Sequence, residues 1–188
     1  AATAYATTTG GGVFVTADAG STWTAQNTGI TNLNIESIAI APSNPTVIYV
    51  GSDAGEVFKS PDRGLTWLDI TGDMVAAVAV NDLVVHPDSA NVVYAALDDV
   101  YRIKQAGLDS VSFFPTGATP FLVTTADLDS DSVSDIVVAN VGAQSVQVML
   151  NGSQGATFTS VGYNTGAEPT VVRSADLDGD GDTEVIVG

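Results

Sequence analysis

The sequence predicts an all-β chain built from one repeated unit of up to four short strands, and three observations predict it. Landmarks recur at a fixed spacing: Tyr5, Tyr49 and Tyr94 stand 44 and 45 positions apart, Pro42 and Pro87 stand 45 apart, and Thr116–Pro120 returns 49 positions on as Thr165–Pro169. Between landmarks, short apolar β-branched runs alternate with clusters of Gly, Pro, Asn and Asp. No stretch carries the apolar period of a helix. A period of about 40–50 residues with several short strands per unit defines a β-propeller of four-stranded blades. The echoes count about five whole or partial blades in this chain.

In the second unit the strands are expected at Ser37–Ala41, Thr46–Gly51, Val57–Ser60 and Thr66–Ile70, punctuated by Pro42-Ser43-Asn44-Pro45 and Asp53-Ala54-Gly55. In the fourth they are expected at Phe121–Ala126, Asp135–Asn140, Ser145–Leu150 and Thr157–Tyr163, with Asn151-Gly152 opening the last hairpin. The apolar run Met74–Val80 is too short for a helix and leads into a strand. The texture of the repeat changes near Pro115, which divides the chain into residues 1–114 and 115–188 of the same propeller. The first unit starts at its second strand and the last stops after its second. An excerpt of a longer chain is therefore expected, with open blade edges that favour self-association, up to a surface or fibrous filament.

Composition excludes several classes. Twenty-two acidic residues against 5 basic ones give a net charge of -17. A nucleic-acid partner needs a basic surface and is not expected, and neither is an anionic lipid surface. With no cysteine there is no disulfide, thiolate nucleophile or Cys-ligated metal. No apolar run reaches the roughly 18 residues of a membrane span, so membrane insertion is not expected. The acidic excess suits a cation-rich, extracellular medium, secreted or at a cell surface.

Two stretches concentrate the acids on alternate positions. Ala126–Asn140 carries Asp127, Asp129, Asp131 and Asp135; 49 positions on, Ala175–Gly188 carries Asp176, Asp178, Asp180 and Glu184. Carboxylates spaced this way repel one another unless a hard, oxygen-seeking cation sits among them, and Ca2+ is the expected cofactor. From about Pro115 onward the Gly-x-x-Pro lead-in, these loops, the Asp135–Asn140 strand and the run Ser145–Phe158 resemble the VCBS and FG-GAP repeats of integrin-type propellers. The resemblance implies side-chain ligands at loop positions 1, 3, 5 and 9 and a carbonyl at position 7. That gives Asp127, Asp129, Asp131, Asp135 and the Val133 carbonyl in one loop, and Asp176, Asp178, Asp180, Glu184 and the Asp182 carbonyl in the other. The first loop departs from the pattern at Ser132, where the family has Gly; the second departs at Glu184, where it has Asp.

A different motif marks the first half. Thr16–Trp23 and Ser60–Trp67 share Ser/Thr-x-Asp-x-Gly-x-Thr-Trp, 44 positions apart. This resembles the Asp-box, or BNR repeat, of sialidases, sortilin-like receptors and some glucan-cleaving propellers, and implies a fold-stabilising hairpin away from any active site. Its Asp is expected to accept backbone N–H bonds across the turn, and its Trp to pack between neighbouring sheets. In the third unit only Gly107 of the signature survives.

Acid–base candidates are thin. His86, the only histidine, sits at a strand end before a proline and reads as a turn residue. A sialidase-like site needs several arginines together, and only Arg63, Arg102 and Arg173 are present. The reading is therefore no enzyme, with no catalytic or organic-cofactor residues: a non-catalytic adhesion or scaffold module, binding its own copies, other surface proteins or glycans. The alternative is a fragment of a glycan-active hydrolase, or a lectin module. One sequon, Asn151-Gly152-Ser153, falls on the expected hairpin tip.

Overall fold

The computed structural model describes residues 2–74, 77–105, 110–152 and 158–188. Residues 75 and 76 of the Met74–Val80 run, Gly107, Ser153 of the sequon and Thr157 lie outside the described residues. Every regular element among the described residues is a strand, seventeen in all, arranged as five antiparallel sheets in chain order.

The first sheet holds β1 (Ala4–Thr8), β2 (Gly12–Thr16) and β3 (Thr24–Ala25). The second holds β4 (Ile35–Ile40), β5 (Ile48–Ser52), β6 (Val57–Ser60) and β7 (Leu68–Asp69). β8 (Asp82–Val85), β9 (Val92–Ala96), β10 (Val100–Lys104) and β11 (Ser110–Phe114) form the third. β12 (Pro120–Ala126), β13 (Asp135–Asn140), β14 (Ser145–Asn151) and β15 (Phe158–Asn164) form the fourth, and β16 (Val172–Ala175) with β17 (Glu184–Val187) the last. Each sheet is an up-and-down meander in which sequence neighbours pair. Three sheets have four strands, one has three and one has two, as the repeat count predicts for blades of a β-propeller.

Burial follows position in the meander. β5 and β13 are buried at every residue, so both their faces are covered and their sequences, IYVGS and DIVVAN, are near-continuous apolar runs. The outer strand β15 is exposed along nearly its whole length and alternates less strictly.

The chain divides into two compact units, Ala1–Ala95 with Arg102–Ser112, and Ala96–Tyr101 with Phe113–Gly188. In the first unit Val13, Ile35, Ile48, Val50, Phe58 and Trp67 form a buried cluster that joins the first two sheets. Trp67 is its keystone. The indole N–H donates to the Gln26 carbonyl at 2.9 Å and the backbone N–H donates to the Thr28 carbonyl at 2.8 Å. Gly29 makes that approach feasible: a Cβ there would sit 2.1 Å from the Trp67 carbonyl oxygen. The expectation that both motif tryptophans pack between sheets fails for Trp23, which is 44% exposed against 3% for Trp67. The surface that covers Trp67 includes Val13 and the Gln26 carbonyl of the first sheet and its connection.

In the second unit Val137, Ala139, Val146 and Val172 form the core, with Leu122, Leu128, Val148 and Val185 packed against it. Leu128 lies inside the first acidic loop, so this core also anchors the loop. The sequon fails as a glycan site. Asn151 ends β14, is 3% exposed and donates its side-chain N–H to the Ser134 carbonyl at 3.2 Å. A sugar on that nitrogen is incompatible with the fold.

Candidate metal centres and the turns around them

Both acidic loops connect the first and second strands of a sheet, β12 to β13 and β16 to β17. Four pairs of backbone N–H bonds repeat between them at the 49-residue offset. Ser132 N–H donates to Asp127 Oδ2 at 2.9 Å, and Gly181 N–H to Asp176 Oδ2 at 3.1 Å. Asp131 and Asp180 donate their N–H groups to Asp129 and Asp178. Val133 and Asp182 donate theirs to Asp131 and Asp180. Leu128 and Leu177 cap Asp135 and Glu184, both at 2.8 Å.

These turns need left-handed backbone at two positions each. Gly179 and Gly181 supply it at φ 80 and 97; in the first loop Ser130 and Ser132 do so at φ 61 and 66. The substitution of Ser132 for the family's Gly is accommodated without changing the loop, at a conformational cost glycine avoids.

The outcome is a set of three converging carboxylates per loop. Asp127, Asp129 and Asp135 place one oxygen each within 4.8 Å of one another, and so do Asp176, Asp178 and Glu184. Asp131 and Asp180 are not brought into these groups; their carboxylates stay on the backbone N–H groups of Val133 and Asp182. The first group lies deeper, with Asp135 fully buried. Burial pushes the Asp135 carboxyl above its ordinary value; the N–H groups of Asn151 and Leu128 pull it back, and Asp129 and Asp131 push it up again. Asp127 Oδ1 is buried and has no hydrogen-bond partner. Its counterpart Asp176 Oδ1 accepts the Gly179 N–H at 2.6 Å. A buried, unpartnered carboxylate oxygen beside two further carboxylates is a costly arrangement that a cation relieves. An all-oxygen donor set fits Ca2+.

Sequence reasoning missed Asn151. Its backbone N–H donates to Asp135 Oδ1 at 2.8 Å, so it helps fix the one fully buried acid. The Asn-Gly pair reads as a turn signal, which masked a residue facing inward.

The Ser/Thr-x-Asp hairpins are equally regular. Thr22 N–H and hydroxyl donate to Asp18 at 2.9 and 2.7 Å, and Thr66 does the same to Asp62 at 2.9 and 2.6 Å. Thr16 and Ser60 hydroxyls donate to the same carboxylates at 2.8 Å. Gly20 and Gly64 N–H groups donate back to those hydroxyls. Backbone and side-chain bonds from Thr22 lower the Asp18 carboxyl from 3.8 to about 2, and bonds from Thr66 lower Asp62. A carboxyl depressed in the folded state stabilises the fold above its unfolded value, and that contribution is lost as pH falls through the folded one. Acid titration followed by tryptophan fluorescence is therefore expected to show a loss of native signal between about pH 4 and 2. Asp18→Asn with Asp62→Asn should flatten that transition; an unchanged acid profile would remove the hairpins from the account.

His86 is a turn residue, as expected: its Nδ1 accepts the Asp88 N–H at 3.2 Å, and burial lowers its pKa. At the end of the second sheet, Asn32 Nδ2 donates to both Asp53 at 2.9 Å and Glu56 at 2.8 Å. Sequence reasoning did not single out this acidic pair, because its members lie on a turn and its clamp lies on a separate connection.

The fold defines the class: a β-propeller. The family model described as an FG-GAP-like repeat matches residues 127–187, which contain both acidic loops. Solved structures similar to the chain include an ancestral GH74 enzyme, at TM-score 0.68 and 17% identity, covering 97% of this chain and 28% of that one. The GH74 xyloglucanase from Xanthomonas campestris is similar at TM-score 0.64 and 17% identity, over 99% of this chain and 32% of its own length. YCF48 bound to D1 peptide is similar at TM-score 0.62 and 14% identity, over 98% of this chain and 58% of that one. The chain thus spans about a third or less of the GH74 enzymes it resembles. No curated protein matches the sequence.

These likenesses show the fold and correct one expectation. The sequence reading set enzymes aside, yet GH74 enzymes stand among the similar structures. Arginine-lined chemistry lacks its residues here, and the sequence reading gives the patterned acids to turns or calcium. A glycosidase working through two carboxylates, however, needs neither an arginine cluster nor a histidine and can draw on acids outside any pattern. Among the described residues no helix is long and apolar enough to cross a membrane.

Proposed function

We propose that this chain is part of an extracellular β-propeller, secreted or displayed at a cell surface, whose last two repeats take calcium and whose loops serve adhesion to surface proteins, glycans or further copies. The observation that carries the reading is the convergence of three carboxylates in each of two loops 49 residues apart, one holding a buried unpartnered oxygen. Asp127, Asp129 and Asp135 would hold one ion, and Asp176, Asp178 and Glu184 the other. Asp131 and Asp180, each accepting a backbone N–H through Oδ1, would add their other oxygen, and the carbonyls of Val133 and Asp182 complete the proposed sets. A bound cation neutralises the crowded acids and stiffens the turns that set the β12–β13 and β16–β17 pairings. The finer kinship we propose is VCBS-type for these repeats and Asp-box for the first two, a reading supported by the duplicated side-chain bonds of Asp18 and Asp62.

Extracellular calcium sites bind at about 10⁻⁴–10⁻³ M. At a hundredfold excess over the dissociation constant, each site adds about 2.7 kcal/mol. EDTA should therefore lower the melting temperature, and 10 mM CaCl2 restore it by several degrees, with MgCl2 much less effective. Identical melting in EDTA and calcium would sink the reading.

The second reading is a glycan-active hydrolase, favoured by the GH74 enzymes among the similar structures. Incubating the full-length protein with xyloglucan and other β-glucans, and measuring released reducing ends, tests it. Turnover abolished by Asp53→Asn or Glu56→Gln would place the chemistry on the pair clamped by Asn32; no release from any β-glucan would remove this reading.

A further inference from the structure

Arg63 has a side chain that its turn does not use. Ala19 holds the same position in the first hairpin with the same left-handed backbone, φ 59 against 63. The backbone bond is also the same: Ala19 N–H donates to the Ala2 carbonyl at 3.3 Å and Arg63 N–H to the Thr46 carbonyl at 2.8 Å. The hairpin therefore closes with a methyl group, and a longer side chain in left-handed backbone brings it no gain.

The guanidinium is not spent on the fold either. Among the described residues it makes no hydrogen bond and meets no carboxylate, although acids outnumber bases 22 to 5 in the chain. Instead it borders a cleft of about 250 Å3, together with Thr3, Tyr5, Ile40 and Pro45. Tyr5 is fixed there by its hydroxyl, which donates to the Arg63 carbonyl at 3.1 Å. Burial raises the Tyr5 pKa and the nearby Arg63 charge partly offsets it, which places the guanidinium and the phenol in one electrostatic environment. Ile40 is 45% exposed at the rim.

The geometry points to this cleft as a binding site for a carboxylate carried on one compact ring, a hexuronic acid unit of an acidic polysaccharide. Arginine offers a planar fork that matches a carboxylate through two parallel hydrogen bonds. The Tyr5 ring and Pro45 supply apolar surface for a sugar face, and the Thr3 hydroxyl a polar contact. The volume lies below the roughly 300–1,000 Å3 of drug-sized pockets, which suits a single ring. An acidic peptide fits less well, because a cleft of about 250 Å3 bordered by these five residues is too short to hold a length of main chain. The inference is independent of the calcium reading.

Titration of the full chain with a galacturonate dimer, a galactose dimer and a glutamate-rich peptide, followed by calorimetry, tests it. The uronate is expected to bind at least about tenfold tighter than the neutral sugar, the worth of one charge-assisted contact. Arg63→Gly suits the left-handed backbone, so it should abolish that preference while melting is unchanged; Arg63→Lys should keep part of it. Equal affinity for acid and neutral sugars, binding of the peptide alone, or a preference that survives Arg63→Gly would each overturn the assignment.

Discussion

Trp67→Ala is expected to cost about 3–5 kcal/mol, while Trp23→Ala, the same residue of the same motif, should cost less than about 1 kcal/mol. Trp67 is 3% exposed and fills the cluster of Val13, Ile35, Ile48, Val50 and Phe58, so its loss opens a large cavity between two sheets. It also leaves the Gln26 carbonyl without its indole donor. Trp23 is 44% exposed and its removal opens none. Urea denaturation of the two variants checks this. Equal losses would mean that the tryptophan serves its own hairpin rather than the packing of sheets.

Asp135→Ala is the second large effect, and it separates the buried acid from the exposed ones. Asp135 is fully buried and accepts the N–H groups of Asn151 and Leu128, both at 2.8 Å. Truncation leaves two donors unpaired, at about 1–3 kcal/mol each, so a loss of roughly 2–5 kcal/mol is expected even in EDTA. Asp129→Ala removes an exposed carboxylate that accepts one long bond, 3.3 Å from Asp131, and should cost under about 1 kcal/mol in EDTA. Both variants should lose the calcium response of the first loop. Urea denaturation in EDTA and in calcium gives all four values. A large EDTA-only loss for Asp129→Ala, or a normal calcium response in either variant, would contradict the assignment.

Much of the fold was legible in the sequence, for a physical reason. Strand positions follow apolar runs and turn residues, which are local signals. Phe121–Ala126, Asp135–Asn140 and Ser145–Leu150 were expected, and the strands are Pro120–Ala126, Asp135–Asn140 and Ser145–Asn151. The 49-residue echo likewise carried both acidic loops, whose backbone bonds are duplicated. What local signals cannot reveal is the surface a side chain meets. Trp23 and Trp67 have the same motif, and the contacts that bury Trp67 against Val13 and the Gln26 carbonyl are not visible in it. Asn151 resembles a turn residue until β14 is seen to carry it inward against Asp135. The acids at positions 1, 3, 5 and 9 look equivalent, yet Asp131 and Asp180 are held by their own turns. The contact of Asn32 with Asp53 and Glu56 was hidden for the same cause, since the asparagine lies on a separate connection.

The central claim is that two loops of this propeller are calcium sites. Calorimetric titration of the EDTA-stripped chain with CaCl2 tests it most directly. The account predicts two ions per chain, falling to one in Asp129→Ala and to one in Asp178→Ala. No binding at millimolar calcium, or a stoichiometry that neither substitution changes, would contradict it.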